Sequence, residues 1–457
     1  MPTAMVGRVG RHVTCGLLLA MHTVASPTVI DLFAGAGGIA EGFRQAGFES
    51  IAASDIDPDA CATFQRNFPG AVVVHGDIRA PLVKAAILEA GGRADLVVGG
   101  PPCQAFSQVR NHARVIDDPR NSLYKEFLHI VGRVLPSAFV MENVTGIDQM
   151  GFRERIARDL ELAGEYSVLP QVIDAADVGV PQTRKRLVFI GVRRCLGVAV
   201  PVVAQSGITR AIALTRSVRR GKCHYALEAE DDLFSPALFA SLADPNDMRA
   251  VSASQALSDL ARLAEGNRID VLPYDSLCAP ESAYQQFMRE GSGDTLENVQ
   301  VPRLRQDTAT RLRAIPAGGN HRDLPNELIQ RNLSGEKWGP ENGSGLLSRR
   351  HYYAYRRLHP DIWSWTLNTK ADSVYHYEAL RSLSVREFAR LHSFPDRFVF
   401  TTDPRPGELL GRHDGGPAHS RYRQVGNAVP PLLAKACAMA IRQAVFADRS
   451  RDRRKAA

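Results

Sequence analysis

Val29-Ile-Asp-Leu-Phe-Ala-Gly-Ala-Gly-Gly-Ile-Ala-Glu-Gly-Phe43 reads as a β-strand, a glycine turn and the start of a helix. Such a turn lets backbone amides approach a ligand at a helix N-terminus, and by itself it suits a dinucleotide or tight packing alone. Outward from it, residues 28–192 alternate short β-rich runs with amphipathic stretches. That is the pattern of a parallel sheet covered by helices. The predicted strands are Val29–Phe33, Ser50–Ala53, Ala71–Val74, Asp95–Val98, Ala138–Met141 and Arg186–Gly191. Asn121-Ser122 precedes apolar residues Leu123, Phe127, Ile130, Val131 and Val134 at helical spacing, which predicts a capped helix packing on the sheet. In a sheet of this kind ligand groups belong at the carboxyl ends of the strands.

Those ends carry the chemistry-bearing residues. The second strand runs into Ser54-Asp-Ile-Asp57, about twenty residues after the glycine turn, where a carboxylate can accept from ribose hydroxyls. The third runs into Gly76-Asp77-Ile78, so that a sugar-binding acid, an apolar contact from Ile56 or Ile78 and an acid near an exocyclic amine would describe an adenosine pocket. Asp57, just before Pro58, reads better as a helix cap.

After the fourth strand, Gly99-Gly-Pro-Pro-Cys-Gln-Ala-Phe-Ser107 restricts the backbone and presents the Cys103 thiol at the sheet edge. Glu142 ends the fifth strand within Met141-Glu-Asn-Val144. Gln182-Thr-Arg-Lys-Arg186 enters the sixth, and strand alternation would put Arg184 and Arg186 on one side, as a site or as a solvated basic edge.

Composition sets bounds without naming a function. The 457 residues, 44% hydrophobic and 23% charged, suit a folded protein of two or three units. Lys and Arg number 56 against 49 Asp and Glu, a net +7 that favours a polyanionic partner without requiring one. Seven scattered cysteines with no Cys-x-x-Cys pair argue against zinc and disulfides and fit a reducing cytoplasm. No membrane span is expected. Residues 1–27 read as an extension that imitates a secretory signal, but the apolar run from Cys15 to Met21 is short and broken by His22. Initiation at Met5 or Met21 would remove most of it without touching the motifs.

Together the motifs resemble the DNA cytosine-5 methyltransferase family of bacterial restriction-modification systems. The carrying blocks are Phe33-x-Gly-x-Gly-Gly38, Pro102-Cys-Gln104, Glu142-Asn-Val144, Gln182-x-Arg-x-Arg186, Arg386-Glu387 and Gly426-Asn427. They cover residues 28–192 and 375–440, with fainter echoes at Ala256–Leu260 and Ile315–Asn320.

The resemblance implies a Rossmann-like α/β fold, a methyltransferase sheet with helices on both faces, plus a smaller, irregular target-recognition domain. The catalytic domain is expected at 28–192, the recognition domain at 193–415, a segment completing the catalytic domain at 416–448 and a basic tail at 449–457. S-adenosyl-L-methionine is expected at Phe33, Gly35, Gly37, Asp55, Ile56, Asp77, Ile78, Pro102 and Asn427, with Ile56 where the family often has an aromatic residue. Cys103 would add to carbon 6 of cytosine; Glu142, held protonated by a buried site, would bond ring nitrogen 3; Arg186, with Arg184 beside it, would bind the position-2 carbonyl.

The substrate implied is double-stranded DNA with the target base rotated out of the stack. The loop Gln104–Arg120 would close over it, with Gln104, Ser107, Arg120 and, further on, Arg356 touching DNA. No metal is expected. A monomer is expected, with a restriction endonuclease as a genetic rather than a physical partner. The alternatives are an RNA (tRNA) cytosine-5 methyltransferase and a catalytically silent DNA-binding protein.

Overall fold

The computed structural model describes residues 26–102, 123–149, 151–209, 246–328, 355–403 and 416–447. A seven-stranded sheet organises them, in the order β3-β2-β1-β4-β5-β7-β6. The strands are β1 Thr28–Leu32, β2 Glu49–Asp55, β3 Val72–His75, β4 Leu96–Gly99, β5 Ala138–Val144, β6 Tyr166–Asp174 and β7 Lys185–Arg193. The first five pair in parallel and β7 runs antiparallel between β5 and β6. Strand order reverses between β1 and β4, which opens a crevice at their carboxyl ends.

Six of these strands were expected from sequence, within a few residues. The seventh, β6, was not. Pro170 interrupts its pattern, and proline belongs on an edge strand; β6 is the sheet's edge.

Alternate side chains of the strands feed two separate cores. Val29, Leu96, Val98, Val140 and Ile190 pack on one face with α1 (Gly38–Gln45) and α2 (Pro58–Asn67). Ile30, Leu32, Val97, Phe139 and Phe189 pack on the other with α3 (Pro81–Gly91), α4 (Leu123–Val134) and α6 (Arg153–Leu160). The short α5 (Gly146–Gln149) follows β5. The expected Asn121-Ser122 cap of α4 lies outside the described residues.

Beyond β7 come α7 (Ala253–Leu257), β8 (Val271–Pro273), α8 (Ala283–Arg289), β9 (Thr295–Glu297) and α9 (Gln306–Arg313). The antiparallel pair β8–β9 caps a small core of Leu260, Leu263, Leu277, Leu296, Val299 and Val301. α10 (Val385–Leu391) begins with a capping box between Ser384 and Glu387. It carries three buried ions into the fold. Glu387 is bonded by Arg381 through both carboxylate oxygens at 2.8 Å, Arg390 pairs with Asp396 and Asp259, and Arg386 donates to the carbonyls of Glu297, Pro395 and Phe398. Buried charges are tolerated where they are paired and hydrogen-bonded in this way.

The chain closes on α11 (Gly416–Asn427) and α12 (Pro431–Ile441). α12 lies against α1 with almost no gap: a Cβ added at Gly42 would fall 2.3 Å from the Pro431 carbonyl, and one at Gly38 2.2 Å from that of Val429. This contact brings Asn427 back to the glycine turn.

Candidate active site

The register of the sheet assembles the site. Leu32 pairs with Gly99 and Gly99 with Met141, so the glycine turn, the Gly-Gly-Pro-Pro run and Glu142 leave adjacent strands at one level. Gly99 is required by that packing, because a Cβ there would lie 2.4 Å from the Leu32 carbonyl. Gly100 has a different reason: its Cβ would lie 3.0 Å from Oε2 of Glu142, so its bareness leaves room for that carboxylate. Asn143 donates from Nδ2 to the Pro101 carbonyl at 3.0 Å and fixes the run leading to Cys103. Pro101 is buried and Pro102 is exposed.

Glu142 and Arg186 meet across β5 and β7, with Glu142 Oε1 2.6 Å from Arg186 Nε. Both side chains are largely enclosed. Glu142 is thus enclosed, as expected from sequence, but its partner there is a guanidinium.

At the glycine turn Phe33, Gly35 and Gly37 all have positive φ, 55°, 53° and 99°. The amide of Gly35 donates to Asp55 Oδ2 at 2.8 Å, which holds the turn against the end of β2. A Cβ on Gly35 would meet nothing within 4 Å, so open space faces the turn there. Burial pushes the Asp55 carboxyl up from its usual range, opposed by bonds from the amides of Asp57 and Gly35.

Ile56, next along, is 64% exposed at the carboxyl end of β2. Ile78, by contrast, is 5% exposed and packed in the core. Asp77 is engaged by Arg79 through both oxygens at 2.5 to 3.0 Å, and that bonding lowers its carboxyl. Asp57 caps α2 by accepting from the Asp59 amide, as expected, and also pairs with Arg423.

The methylase family model for C-5 cytosine-specific DNA methylases matches residues 27–229 and 278–443. The chain belongs to that family. It is a DNA (cytosine-5-)-methyltransferase. Among relatives, the type II methyltransferase M1.HphI of Haemophilus parahaemolyticus is 30% identical over 91% of this chain and 87% of its own length. M.DdeI of Desulfomicrobium norvegicum is 31% identical over 90% and 87%. A crystal structure from E. coli, described as a DNA modification methyltransferase encoded within a prophage, superposes with a TM-score of 0.61 at 23% identity, covering 92% of this chain and 99% of that one, and so shares its fold.

In this methylase the Arg184 guanidinium is engaged with backbone, whereas Arg186 pairs with Glu142. Arg184 immediately precedes β7, and its buried guanidinium donates to the carbonyls of Leu367 at 3.2 Å and Gly426 at 2.8 Å. Burial drives its pKa well down, and Arg186 adds to this. Arg184 clamps backbone.

Arg356, expected to touch DNA, has its guanidinium over the Trp365 ring, 5.4 Å from the centroid. Asn427 is exposed at the end of α11. Cys103, Gln104, Ser107 and Arg120 lie outside the described residues. Sequence reasoning missed the roles of Gly100, Asn143 and Arg79; the doubled glycine before Pro101 was the available signal for the first. Among the described residues no group of three or more His, Cys, Asp or Glu is arranged to hold a metal ion.

Proposed function

We propose that this methylase transfers the methyl group of S-adenosyl-L-methionine to carbon 5 of a cytosine rotated out of a specific duplex DNA sequence, through a covalent bond to Cys103. The observation that carries the reading is the Glu142–Arg186 pair standing level with the Gly99-Gly-Pro-Pro run and the open glycine turn.

The residues at the turn fit the methyl donor. Open space at Gly35 admits a ligand against bare backbone, the Asp55 carboxyl stands at the end of β2 for ribose hydroxyls, and exposed Ile56 offers an apolar face to adenine. Asp77 would take the adenine amino group after yielding Arg79. Phe33, Gly37, Pro102 and Asn427 would complete the cradle. When bound, the donor supplies an electrophilic methyl group.

The protein makes cytosine able to accept it. Carbon 5 is a poor nucleophile until an electron pair enters the ring, and addition of the Cys103 thiolate to carbon 6 supplies that pair. Glu142, taking up a proton as the entering base parts it from Arg186, donates to ring nitrogen 3 as negative charge builds there, and Arg186 binds the position-2 carbonyl. Carbon 5 forms its bond to the methyl group as that group's bond to the donor sulfur breaks and the sulfur keeps the electron pair; carbon 5 then loses its proton to a base, and the returning electrons expel Cys103. An enclosed site demands an extruded base, since carbon 6 is inaccessible inside a stacked duplex.

Residues 193–415 would read the sequence, with the 416–448 segment completing the catalytic domain and Arg356 and the loop residues Gln104, Ser107 and Arg120 on the DNA. The biological setting is the modification half of a restriction-modification system acting on DNA in the bacterial cytoplasm, as the type II relatives suggest. Bisulfite sequencing of DNA from a host expressing the chain tests the reading: protected cytosines should fall at one position of one short sequence. No protected cytosine, together with methyl label entering tRNA, would replace it with RNA methylation.

A further inference from the structure

Four separated stretches of the chain are joined by one closed set of buried hydrogen bonds. Gln182 is the hub: its Oε1 accepts from the Leu367 amide at 2.9 Å, and its Nε2 donates to the Leu391 carbonyl at 3.0 Å and to His392 Nδ1 at 3.0 Å. His392 Nε2 lies 2.8 Å from the Ala428 carbonyl. A carbonyl only accepts, so Nε2 carries the proton and Nδ1 is bare, which is the form that can receive Gln182. The histidine is therefore a neutral imidazole of one tautomer, and burial, with Arg184 nearby, holds its pKa well below the ordinary value. Gln182 and His392 are both fully buried.

The Ala428 carbonyl is one of two that flank Asn427. The other, that of Gly426, is held by Arg184, and Gly426 can carry no side chain because a Cβ would lie 2.0 Å from the Asn368 carbonyl. Asn427 itself is exposed. It is thus presented to solvent from a backbone gripped on both sides. The grip originates two residues before Arg186, which faces Glu142.

We propose that His392 is a positioning residue for the methyl-donor site, locking the Ala428 carbonyl and so the direction in which Asn427 is presented. This rests on the reading of Asn427 as a contact to S-adenosyl-L-methionine. The imidazole touches neither substrate; it acts through the peptide next to Asn427. Loss of the lock leaves Asn427 present but misdirected, so donor binding suffers and DNA binding does not.

The test uses the full-length protein, with titration calorimetry of S-adenosyl-L-methionine, separate KM values for donor and DNA, and thermal unfolding. His392→Ala should weaken donor binding about tenfold, the scale of one buried hydrogen bond, with KM for DNA within about twofold. His392→Gln, whose amide can donate to Ala428 and accept from Gln182, should recover to within about threefold. His392→Asn, too short to reach Ala428, should behave as His392→Ala and serves if the alanine variant does not fold. On an Asn427→Ala background His392→Asn should cost nothing further, because the lock has nothing left to direct. If Asn427→Ala leaves donor affinity unchanged, the cofactor reading of Asn427 fails. If Asn427→Ala weakens it while folded His392→Asn does not, or weakens donor and DNA binding alike, the positioning role is overturned.

Discussion

Arg186 and Glu142 are diagonal neighbours on antiparallel strands: Arg186 faces Val144, two residues beyond Glu142, and the charged atoms meet at 2.6 Å. Side chains so related project from one face of the sheet. The pair is only 14% and 13% exposed, so its attraction is little screened by water. The hydrogen-bonding partners proposed for nitrogen 3 and the position-2 carbonyl of cytosine therefore stand preassembled and orient each other.

Glu142→Gln keeps the shape of that pair and removes its acidity. Single-turnover methyl transfer should slow by about 10²- to 10³-fold with donor affinity retained, as for loss of one preorganised stabilising group. Arg186→Ala should also lower stability, by about 3 kcal/mol, because it strands the Glu142 charge in an enclosed place. Urea unfolding separates the two effects. A Glu142→Gln enzyme within about threefold of the parent rate would remove Glu142 from the chemistry.

Ile56→Trp should tighten S-adenosyl-L-methionine. The position is already exposed at 64%, and an indole face there can stack on adenine for about 0.5 to 1.5 kcal/mol, or roughly 3- to 10-fold in Kd. Arg79→Ala should change the same Kd by less than about twofold, since exposed ion pairs such as Arg79–Asp77 contribute little. Calorimetry reads both. Weaker binding by Ile56→Trp would move the adenine away from β2.

His376 gives the fold an acid-sensitive element. It is buried, and burial lowers its pKa from 6.5 to about 4, with Arg381 and Arg357 adding to the effect and Glu387 opposing it. The folded state therefore binds a proton less readily than the unfolded chain, so stability rises with pH between those values. Present in full above pH 6.5, this contribution is lost progressively towards pH 4, on the order of 3 kcal/mol in all.

Burial raises Asp31, Asp55 and Asp174 and works in the opposite direction, so the histidine signal is the difference between two profiles. His376→Asn keeps an acceptor for the amides of Glu378 and Ala379 that His376 Nδ1 now bonds. Its urea midpoint should fall less between pH 6.5 and 4 than that of the parent. Parallel profiles would contradict the assignment.

The sheet was readable in the sequence because its parallel strands are short apolar runs, several of them leading into Gly, Asp or Glu, a signal written within and just after each strand. β6 was not, since Pro170 imitates a break wherever the edge position of a strand is unknown. The same locality explains the site. Phe33, Gly35, Asp55 and Glu142 lie at strand ends, so position alone marks them.

The backbone role of Arg184 is illegible in sequence because its acceptors, the carbonyls of Leu367 and Gly426, come from distant stretches of the chain. The different burial of Ile56 and Ile78 is not legible in sequence, because a turn residue's burial depends on the helices packed over it. The lock at His392 joins Gln182 to Ala428, 246 positions along the chain, and no local pattern announces it.

The central step of the proposed reaction is a sulfur–carbon bond, and the bond can be trapped. In duplex DNA carrying 5-fluorocytosine at the methylated position there is no carbon 5 proton to lose, so Cys103 cannot be expelled after methyl transfer. Mass spectrometry of the digested complex should find the base, carrying both fluorine and methyl, bonded to the peptide containing Cys103, and Cys103→Ala should give neither adduct nor methylation. Methylation at carbon 5 persisting in Cys103→Ala, or an adduct on any other residue, would contradict it.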